Sequence, residues 1–380
     1  MSFPWRRLLA VTALAAGFLL VAACGGEEEA AGPESTRDVP MFRVDPAHTG
    51  LNPGPGLERS PKLLWRFHAG GCSSPAVVDG VVYIGSADDD VYALDAETGQ
   101  ERWRFPTGDY VWSSPAVVDG VVYGGSYQPF EGYVYALDAT TGVEAWRFQT
   151  GGRVASSPTV VNGAVYVGGL DHRVYALNAA TGEEVWRFQT GSPVYSSPAV
   201  VNGLVYVGSY DHYVYALDAA TGKEVWRFQT GERVGSSPAV AGGTLYVGSH
   251  DHYVYALDAA TGKEVWRFQT GGTVWSSPAV VGRVVYVGSY DHHVYALDAA
   301  TGKEVWRFQA GSVVWPSPAV VDGVVYVGSS DWYVYALDAA TGEERWRFKT
   351  DSYVFSSPAV VNGVVYVGSD EGHVYAISTE

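Results

Sequence analysis

Short apolar segments rich in Val, Tyr, Ala and Leu recur along the chain, each separated from the next by a few polar and glycine residues. In the copy that begins at Val274, the segments read Ser-Ser-Pro-Ala-Val-Val, Val-Val-Tyr-Val-Gly-Ser, His-Val-Tyr-Ala-Leu-Asp and Glu-Val-Trp-Arg-Phe. β-Branched and aromatic residues dominate all four segments, and no window has a helical period. The pattern predicts four short β-strands in each copy.

The copies repeat every 40 residues, as from Trp226 to Trp266, and cover residues 60–380. A repeat of this length is typical of one supersecondary unit copied around a ring or along a solenoid. Most copies join the first two segments by Asn-Gly or Asp-Gly, as at Asn202-Gly203, which predicts a two-residue hairpin turn with positive φ. Each copy is therefore predicted to be a four-stranded antiparallel meander, the blade of a β-propeller.

The order of the segments predicts how the ring closes. Each of the four segments occurs eight times, but the first copy of the fourth segment, residues 63–67, precedes the first copy of the first segment. The last blade, residues 354–378, lacks a fourth strand. Pairing the N-terminal strand with that blade would complete every sheet and leave no end exposed. The sequence thus predicts an all-β, eight-bladed propeller closed by its N-terminal strand.

The residues before the repeats divide into three predicted parts. Residues 1–23 combine a short basic start with an apolar stretch that ends at Cys24, which predicts a lipoprotein signal peptide and an acylated Cys24. An ordinary signal peptide with an incidental cysteine is the alternative. Residues 24–40, rich in Glu, Ala and Gly, predict a flexible tether, and residues 41–59 form an N-terminal arm before the propeller at residues 60–380.

This leader predicts an exported protein that a lipid anchor holds on the cell envelope, at the outer membrane and periplasm or on the outer face of the cytoplasmic membrane. The net charge of −17, from 41 acidic and 24 basic residues, would repel duplex nucleic acid, so nucleic acid is not an expected partner. With Cys24 acylated, Cys72 has no cysteine left to pair with. We therefore expect a monomeric propeller that is stabilised by packing.

The segment Ala-Leu-Asp-Ala-Ala-Thr-Gly-Lys-Glu-Val-Trp-Arg-Phe, residues 296–308, resembles the repeat of the pyrroloquinoline-quinone-type (PQQ-like) propellers, and the match extends over all eight copies. Residues 41–50 resemble the arm that precedes many of these propellers. The family contains quinoprotein dehydrogenases and also non-catalytic members, among them the BamB-like lipoproteins of outer-membrane assembly. The resemblance implies that the repeated tryptophan packs one blade against the next. These tryptophans are Trp65, Trp103, Trp146, Trp186, Trp226, Trp266, Trp306 and Trp346.

Differences between the copies concentrate in two links, from the fourth strand to the next first strand and from the second strand to the third. In a four-stranded meander both links emerge on one face of the ring, and the aromatic residues outside the repeat lie in them. Aromatic side chains with polar tips are enriched at recognition surfaces, so this face is the predicted binding face; plugging of the channel mouth is the structural alternative. Its candidate residues are Trp112, Tyr195, Trp275, Trp315, Phe355, Arg153 and Arg233.

The sequence bears on two kinds of chemistry, metal binding and PQQ-dependent oxidation. Asp-His pairs recur at residues 171–172, 211–212, 251–252 and 291–292, but zinc ligands lie about 2 Å from the ion whereas neighbouring sheets pack about 10 Å apart, so no metal site is predicted. By the resemblance, catalytic relatives hold PQQ and calcium in the channel, often beside a disulfide of adjacent cysteines. This chain has no adjacent cysteines and no long insertion between blades. We therefore expect no catalytic residues and no cofactor.

The resulting prediction is a lipid-anchored, extracytoplasmic and non-catalytic propeller that acts as a scaffold for envelope proteins or polymers, with a BamB-like role as the nearest analogy. Two alternatives remain open at this point. One is a PQQ-dependent dehydrogenase with calcium, and the other is a sensor or carrier that holds a small ligand in the mouth of the channel.

Overall fold

The first strand along the chain belongs to the last blade. In the computed structural model, which describes residues 38–52, 61–71, 73–127, 131–370 and 372–378, β1 (Lys62–His68) pairs antiparallel with the C-terminal strand. Trp65 lies opposite Ala376, and Phe67 lies opposite Val374. The described strands form eight separate four-stranded sheets. The predicted eight-bladed ring and its closure are both confirmed.

Every blade runs from a three-residue inner strand outward to a charged outer strand, with antiparallel neighbours throughout. The strands of the first four blades are β2 (Ala76–Val78), β3 (Val81–Gly85), β4 (Asp90–Asp95), β5 (Glu101–Pro106), β6 (Ala116–Val118), β7 (Val121–Gly125), β8 (Tyr133–Asp138), β9 (Glu144–Gln149), β10 (Thr159–Val161), β11 (Ala164–Gly169), β12 (Arg173–Asn178), β13 (Glu184–Gln189), β14 (Ala199–Val201), β15 (Leu204–Gly208), β16 (Tyr213–Asp218) and β17 (Glu224–Gln229).

The last four blades repeat this arrangement, and the final one receives β1 as its outer strand. Their strands are β18 (Ala239–Ala241), β19 (Thr244–Gly248), β20 (Tyr253–Asp258), β21 (Glu264–Gln269), β22 (Ala279–Val281), β23 (Val284–Gly288), β24 (His293–Asp298), β25 (Glu304–Gln309), β26 (Ala319–Val321), β27 (Val324–Gly328), β28 (Tyr333–Asp338), β29 (Glu344–Lys349), β30 (Ala359–Val361), β31 (Val364–Gly368) and β32 (His373–Ser378).

The turns explain why each copy folds into a meander. At the first hairpin of blade 4, Asn202 and Gly203 take φ of 52° and 75°, as the predicted turn requires. At the outer hairpin of blade 6, Asp298 accepts hydrogen bonds from the backbone N–H of Thr301 at 2.9 Å and from its hydroxyl at 2.7 Å. Gly302 then takes a φ of 69°. An acceptor side chain and a left-handed glycine thus fix the outer turn.

The core lies between the blades. Side chains of the two middle strands are buried on both faces, because each sheet is covered by a neighbour on either side. Tyr246 and Trp266 of blade 5 belong to one buried cluster with Val285 and Tyr295 of blade 6. The outer strands present charge instead, and Arg267 pairs with Glu264 at 3.7 Å. Charged outer edges discourage stray strand pairing.

An N-terminal arm, residues 38–52, runs through the channel and contacts the inner strands. In seven blades, an oxygen atom of the arm accepts a hydrogen bond from the backbone N–H of the central inner-strand residue, at N···O distances of 2.6–3.0 Å. Met41 and Val39 are buried in the cores of the blades they touch. In chain order, the pairs of acceptor and donor are Val39 with Val77, Pro40 with Val117, Pro46 with Val200, Ala47 with Val240, Thr49 with Val280, Gly50 with Val320, and the Asn52 side chain with Val360.

Two basic side chains of the arm are buried inside the channel. The guanidinium group of Arg43 donates to the carbonyl groups of Pro278 and Pro318. His48 lies 3.2 Å from the Pro238 carbonyl and 3.1 Å from the hydroxyl of Thr159. Burial lowers the pKa of Arg43 to about 9 and that of His48 to about 3. These two side chains therefore satisfy proline carbonyl groups at the start of the inner strands, which an empty channel would leave to water.

The arm begins within the span that the sequence assigned to the tether, since Asp38–Pro40 already contact blades 1 and 2. The other predicted features of the leader, Cys24 included, lie outside the described residues. No helix in the described part of the chain is long and apolar enough to cross a membrane.

Candidate functional site

The two variable links meet on one face of the ring. In each blade, the link from the second to the third strand donates a backbone hydrogen bond to the link that enters the innermost strand. Tyr210 N–H, for example, lies 3.0 Å from the Pro193 carbonyl, and Asp370 N–H lies 2.9 Å from that of Tyr353. These links surround the entrance of the channel, which we call the mouth.

Inside the mouth lies a cavity of about 600 Å³, the mouth cavity. Its wall carries Trp112, Tyr195, Trp275, Trp315 and Phe355, all five aromatic residues that the sequence assigned to the binding face. Its floor contains Phe42 of the arm, which packs edge-on against His48 with ring centroids 5.7 Å apart. The arm thus contributes directly to the candidate site.

A closed circle of eight serines surrounds the floor, and we call it the serine ring. The backbone N–H of each serine donates to the hydroxyl oxygen of the equivalent serine in the next blade, at 2.9–3.2 Å, and the circle closes from blade 8 to blade 1. All eight line the mouth cavity. The members are Ser74, Ser114, Ser157, Ser197, Ser237, Ser277, Ser317 and Ser357.

The aromatic residues of the wall form a continuous arc along one side of the mouth. Trp275 is its centre, with ring centroids 4.9 Å from Trp315 and 6.1 Å from Tyr195. Trp315 continues to Phe355 at 5.4 Å. Trp112 lies apart from this arc and stacks on Tyr127 at 4.5 Å. Trp112 and Phe355 are the most exposed of the five, with 52% and 38% of their surface accessible.

Two residues that the sequence did not single out complete the arc. The ring centroid of Tyr210 lies 4.6 Å from that of Tyr195, and the ring centroid of His250 lies 4.8 Å from that of Trp275. Burial raises the pKa of Tyr195 to about 12 and also raises that of Tyr210. Burial and the Arg233 charge lower the pKa of His250. Both phenols and the imidazole are therefore neutral near pH 7.

The predicted arginines lie behind the aromatic rings rather than in the cavity wall. The guanidinium carbon of Arg153 lies 4.5 Å from the centroid of Tyr127, and that of Arg233 lies 5.1 Å from the centroid of Tyr210. Both are cation–π contacts. Their positive charge is thus directed at tyrosine rings of the protein itself.

The repeated tryptophans lie far from the mouth, between the outer parts of neighbouring blades. In seven of them the indole N–H donates to an alanine carbonyl of the next blade at 2.9–3.0 Å. Each of these indoles also covers the turn glycine of that blade; a Cβ on Gly302 would lie 2.6 Å from Trp266. Trp346 packs on Tyr326 at 5.8 Å.

The Asp-His pairs are built into the turns between the second and third strands. Asp291 accepts hydrogen bonds from the hydroxyl of Tyr295 and the N–H of Gly271, at 2.7 and 2.6 Å. His292 takes a φ of 72°, so it occupies the left-handed position of the turn. The described residues contain no cluster of three or more His, Cys, Asp or Glu that could hold a metal ion.

PQQ with calcium, which the resemblance implies for catalytic relatives, would need charged partners in the mouth cavity. Calcium takes about six to eight oxygen ligands, several of them carboxylates, and PQQ is a tricarboxylate that needs cationic partners. Among the described residues that line the cavity, Asp370 is the one carboxylate, and none is a lysine or arginine. These residues do not fit PQQ with calcium.

The serine ring and the position of the predicted arm inside the channel are the parts of the site that the sequence did not predict. The second serine of Ser-Ser-Pro is present in all eight copies, whereas Pro316 replaces the first serine in one of them. That invariance within the chain was the available signal. For the position of the arm, the signal was its group of apolar residues, Val39, Met41, Phe42 and Val44.

Two family models match the repeats. The model described as "Outer membrane protein assembly factor BamB" matches residues 57–128 and 130–231. The model described as "Beta-alanine-activating enzyme, beta-propeller" matches residues 199–380. A search of curated protein sequences finds no match.

Solved structures of different function share this architecture. Quinohemoprotein alcohol dehydrogenase from Comamonas testosteroni superimposes with a TM-score of 0.76 at 18% identity, over 90% of this chain and 80% of that one. BamB from Moraxella catarrhalis gives a TM-score of 0.73 at 19% identity, over 84% and 99%. The computationally designed Ika8 protein gives 0.73 at 19%, over 84% and 98%. At these identities the likeness is one of fold alone.

Proposed function

The chain belongs to the PQQ-like β-propeller family, and on that premise we propose that it is a non-catalytic binding protein of the cell envelope. In this proposal the ring is a rigid scaffold, and its mouth binds a protein partner in the manner of an envelope assembly factor. The family model named for an outer-membrane assembly factor supports this choice over other binding roles.

The observation that carries the proposal is the exposed aromatic surface at the rim of the mouth. Trp112 and Phe355 keep 52% and 38% of their surface accessible, although the fold buries every repeated tryptophan more deeply. Large aromatic side chains are the usual anchors of protein interfaces. Since both stand on a ring of eight hydrogen-bonded blades, little conformational entropy is lost when a partner binds them.

The lining of the mouth cavity argues against the dehydrogenase alternative. Acid–base catalysis needs titratable groups within reach of the substrate. The described residues offer Asp370 as the one carboxylate of the cavity wall, beside serines and aromatic residues. Binding, rather than turnover, is what such a surface supports. Stoichiometric binding of added PQQ and calcium, together with dye reduction, would replace this proposal with the enzyme.

We also propose that Cys24 is acylated and that residues 25–37 tether the propeller to the membrane. The support is the apolar segment that ends at Cys24 and the polar, glycine-containing residues that follow it. Wild-type protein should incorporate labelled palmitate and sediment with membranes, whereas Cys24→Ser protein should do neither. Membrane association that persists in the variant would contradict the lipid anchor.

The binding role is tested by crosslinking from the rim. A photo-crosslinking residue placed at Trp112 or Phe355 should capture a discrete partner in native envelopes, whereas the same residue at Val225 should not. Val225 is a suitable control because 51% of its surface is accessible but it lies on an outer strand. Equal capture from both positions would show that the rim is not the interface.

Purified proteins then give the size of the effect. Trp112→Ala and Phe355→Ala should each weaken binding of the captured partner at least tenfold, which corresponds to about 1.4 kcal/mol and is typical of aromatic anchors. Val225→Ala and Val265→Ala serve as matched controls, since both valines are about half accessible on outer strands. Unchanged affinity in the aromatic variants would leave these side chains with a packing role alone.

A further inference from the structure

We propose that the mouth cavity is a binding site for a neutral saccharide. The inference goes beyond the protein-binding rim, because it concerns the floor and inner wall of the mouth rather than its most exposed residues. Three observations carry it: the donor groups of the serine ring, the flat aromatic surfaces around them, and the near absence of charge in the lining.

The serine ring presents a set of unused hydrogen-bond donors. The oxygen of each ring hydroxyl already accepts a backbone N–H, as Ser277 does from Ser237 at 2.9 Å. Each hydroxyl still carries its own proton, and no group among the described residues accepts any of the eight. A buried hydroxyl gains free energy when its proton finds an acceptor. A ligand rich in hydroxyl and ether oxygens would supply acceptors around the whole circle.

The aromatic surfaces supply the second requirement of a sugar site. Tyr195, Trp275 and Trp315 stand side by side on one wall, and Phe42 lies at the floor. A pyranose ring has hydroxyl groups around its edge and an apolar face of C–H groups, so it can lie on an aromatic ring while its edge bonds to hydroxyls. The volume of about 600 Å³ is within the ~300–1,000 Å³ range of small-molecule sites.

The charges around the cavity select a neutral ligand. An anion would face Asp370 and a chain of net charge −17, with no lysine or arginine among the described lining residues to receive it. A cation would find Asp370 as the one carboxylate of the described lining, and the guanidinium carbon of Arg233 already lies 5.1 Å from the ring centroid of Tyr210. Like charges repel in such a confined site. A neutral, polyhydroxylated ligand meets neither obstacle.

The experiment titrates purified wild-type protein with the neutral disaccharides maltose and cellobiose, with neutral dextran as the polymer probe, and with glucuronic acid and glucosamine as charged probes. Calorimetry and ligand-observed saturation-transfer NMR report binding without relying on tryptophan emission. We expect saturable binding of at least one neutral saccharide at ligand concentrations up to about 10 mM, and binding of the charged sugars at least tenfold weaker. Disaccharide binding without dextran binding would assign the site to free sugars, and the reverse to glycan chains.

Variants locate the binding in the cavity. Trp275→Ala should weaken it at least tenfold, Trp275→Phe should restore most of it, and Trp332→Ala should leave it unchanged. Trp332 is the matched control, because it is an accessible tryptophan of the same face that does not line the cavity. No saturable binding, or equal losses at Trp275 and Trp332, would overturn the proposal. Either result leaves the crosslinking test at Trp112 and Phe355 unaffected, because that test uses different side chains.

Discussion

Removal of one inter-blade indole gives a sharp test of how the ring is held together. In Trp266→Ala, blade 5 loses the side chain that covers Gly302 of blade 6, and the carbonyl of Ala299 loses the hydrogen bond it receives from the indole at 2.9 Å. The hydroxyl of Tyr246 still donates to the same carbonyl at 3.2 Å. The main loss is therefore packing, since the carbonyl keeps one donor.

The expected cost follows from the burial of the indole. Trp266 is 8% exposed and belongs to a cluster that spans two blades, so truncation should lower the free energy of unfolding by about 3–5 kcal/mol. Trp266→Phe should cost less, because it retains a ring in the same space and forgoes a hydrogen bond with a net value of about 1 kcal/mol. The phenylalanine variant thus separates the packing of the ring from its hydrogen bond.

Gly302→Ala completes a double-mutant cycle. A Cβ there would lie 2.6 Å from the Trp266 ring and would stand on a backbone with a φ of 69°, so the single variant should be strongly destabilised. In the Trp266→Ala background the collision is gone and only the backbone strain remains. We therefore expect the two substitutions together to cost at least about 1 kcal/mol less than the sum of their separate costs.

The assay is urea unfolding followed by far-UV circular dichroism and by tyrosine emission, with agreement of the two probes required before free energies are compared. The chain supplies its own control, because residues 214–231 and 254–271 are identical. Trp226→Ala should therefore match Trp266→Ala within about 0.5 kcal/mol. A cost below about 1 kcal/mol for either alanine variant, or a strictly additive cycle, would show that these indoles do not join the blades.

Three further predictions address closure, protonation and the floor of the mouth. Deletion of Lys62–His68 removes the partner of β32, and differential scanning calorimetry should then show a lower melting temperature; an unchanged one would contradict the closure by β1. His48 has a folded pKa of about 3, so the unfolded chain binds its proton more readily, and stability should fall as pH drops from 6.5 towards 3. His48→Gln should remove a part of this change in unfolding free energy with pH between pH 7 and 5, up to about 1.4 kcal/mol per pH unit. Wild-type and variant proteins with the same pH dependence of stability would contradict a buried neutral imidazole. Ser277→Ala leaves the buried N–H of Ser237 without its acceptor and should cost about 1–3 kcal/mol in urea unfolding, whereas Ser277→Thr should not.

The fold was predictable because every local signal agreed with it. The Asn202-Gly203 dipeptide adopts the left-handed turn that its residues favour. The early copy of the fourth segment pairs with β32, as a count of segments required. The aromatic residues of the wall also gathered at one face, since the topology of a meander brings the two variable links together.

The arm and the serine ring could not be predicted in the same way. Arg43 and His48 look like surface residues in the sequence, and their partners are mainly carbonyl groups of Pro278, Pro318 and Pro238, which converge only after the ring has formed. The serines form hydrogen bonds with equivalent residues about 40 positions away, so no local sequence pattern predicts the contact. Contacts that depend on closure are visible only in three dimensions.

The path of the arm sets an order for the folding of the newly made chain. Residues 38–52 leave the ribosome early, yet the Asn52 side chain accepts the N–H of Val360 and β1 pairs with β32, both near the C-terminal end of the chain. Contacts of such long sequence separation form slowly. The arm and β1 must therefore remain unpaired until the C-terminal strands have been synthesised, and the last blade completes the ring.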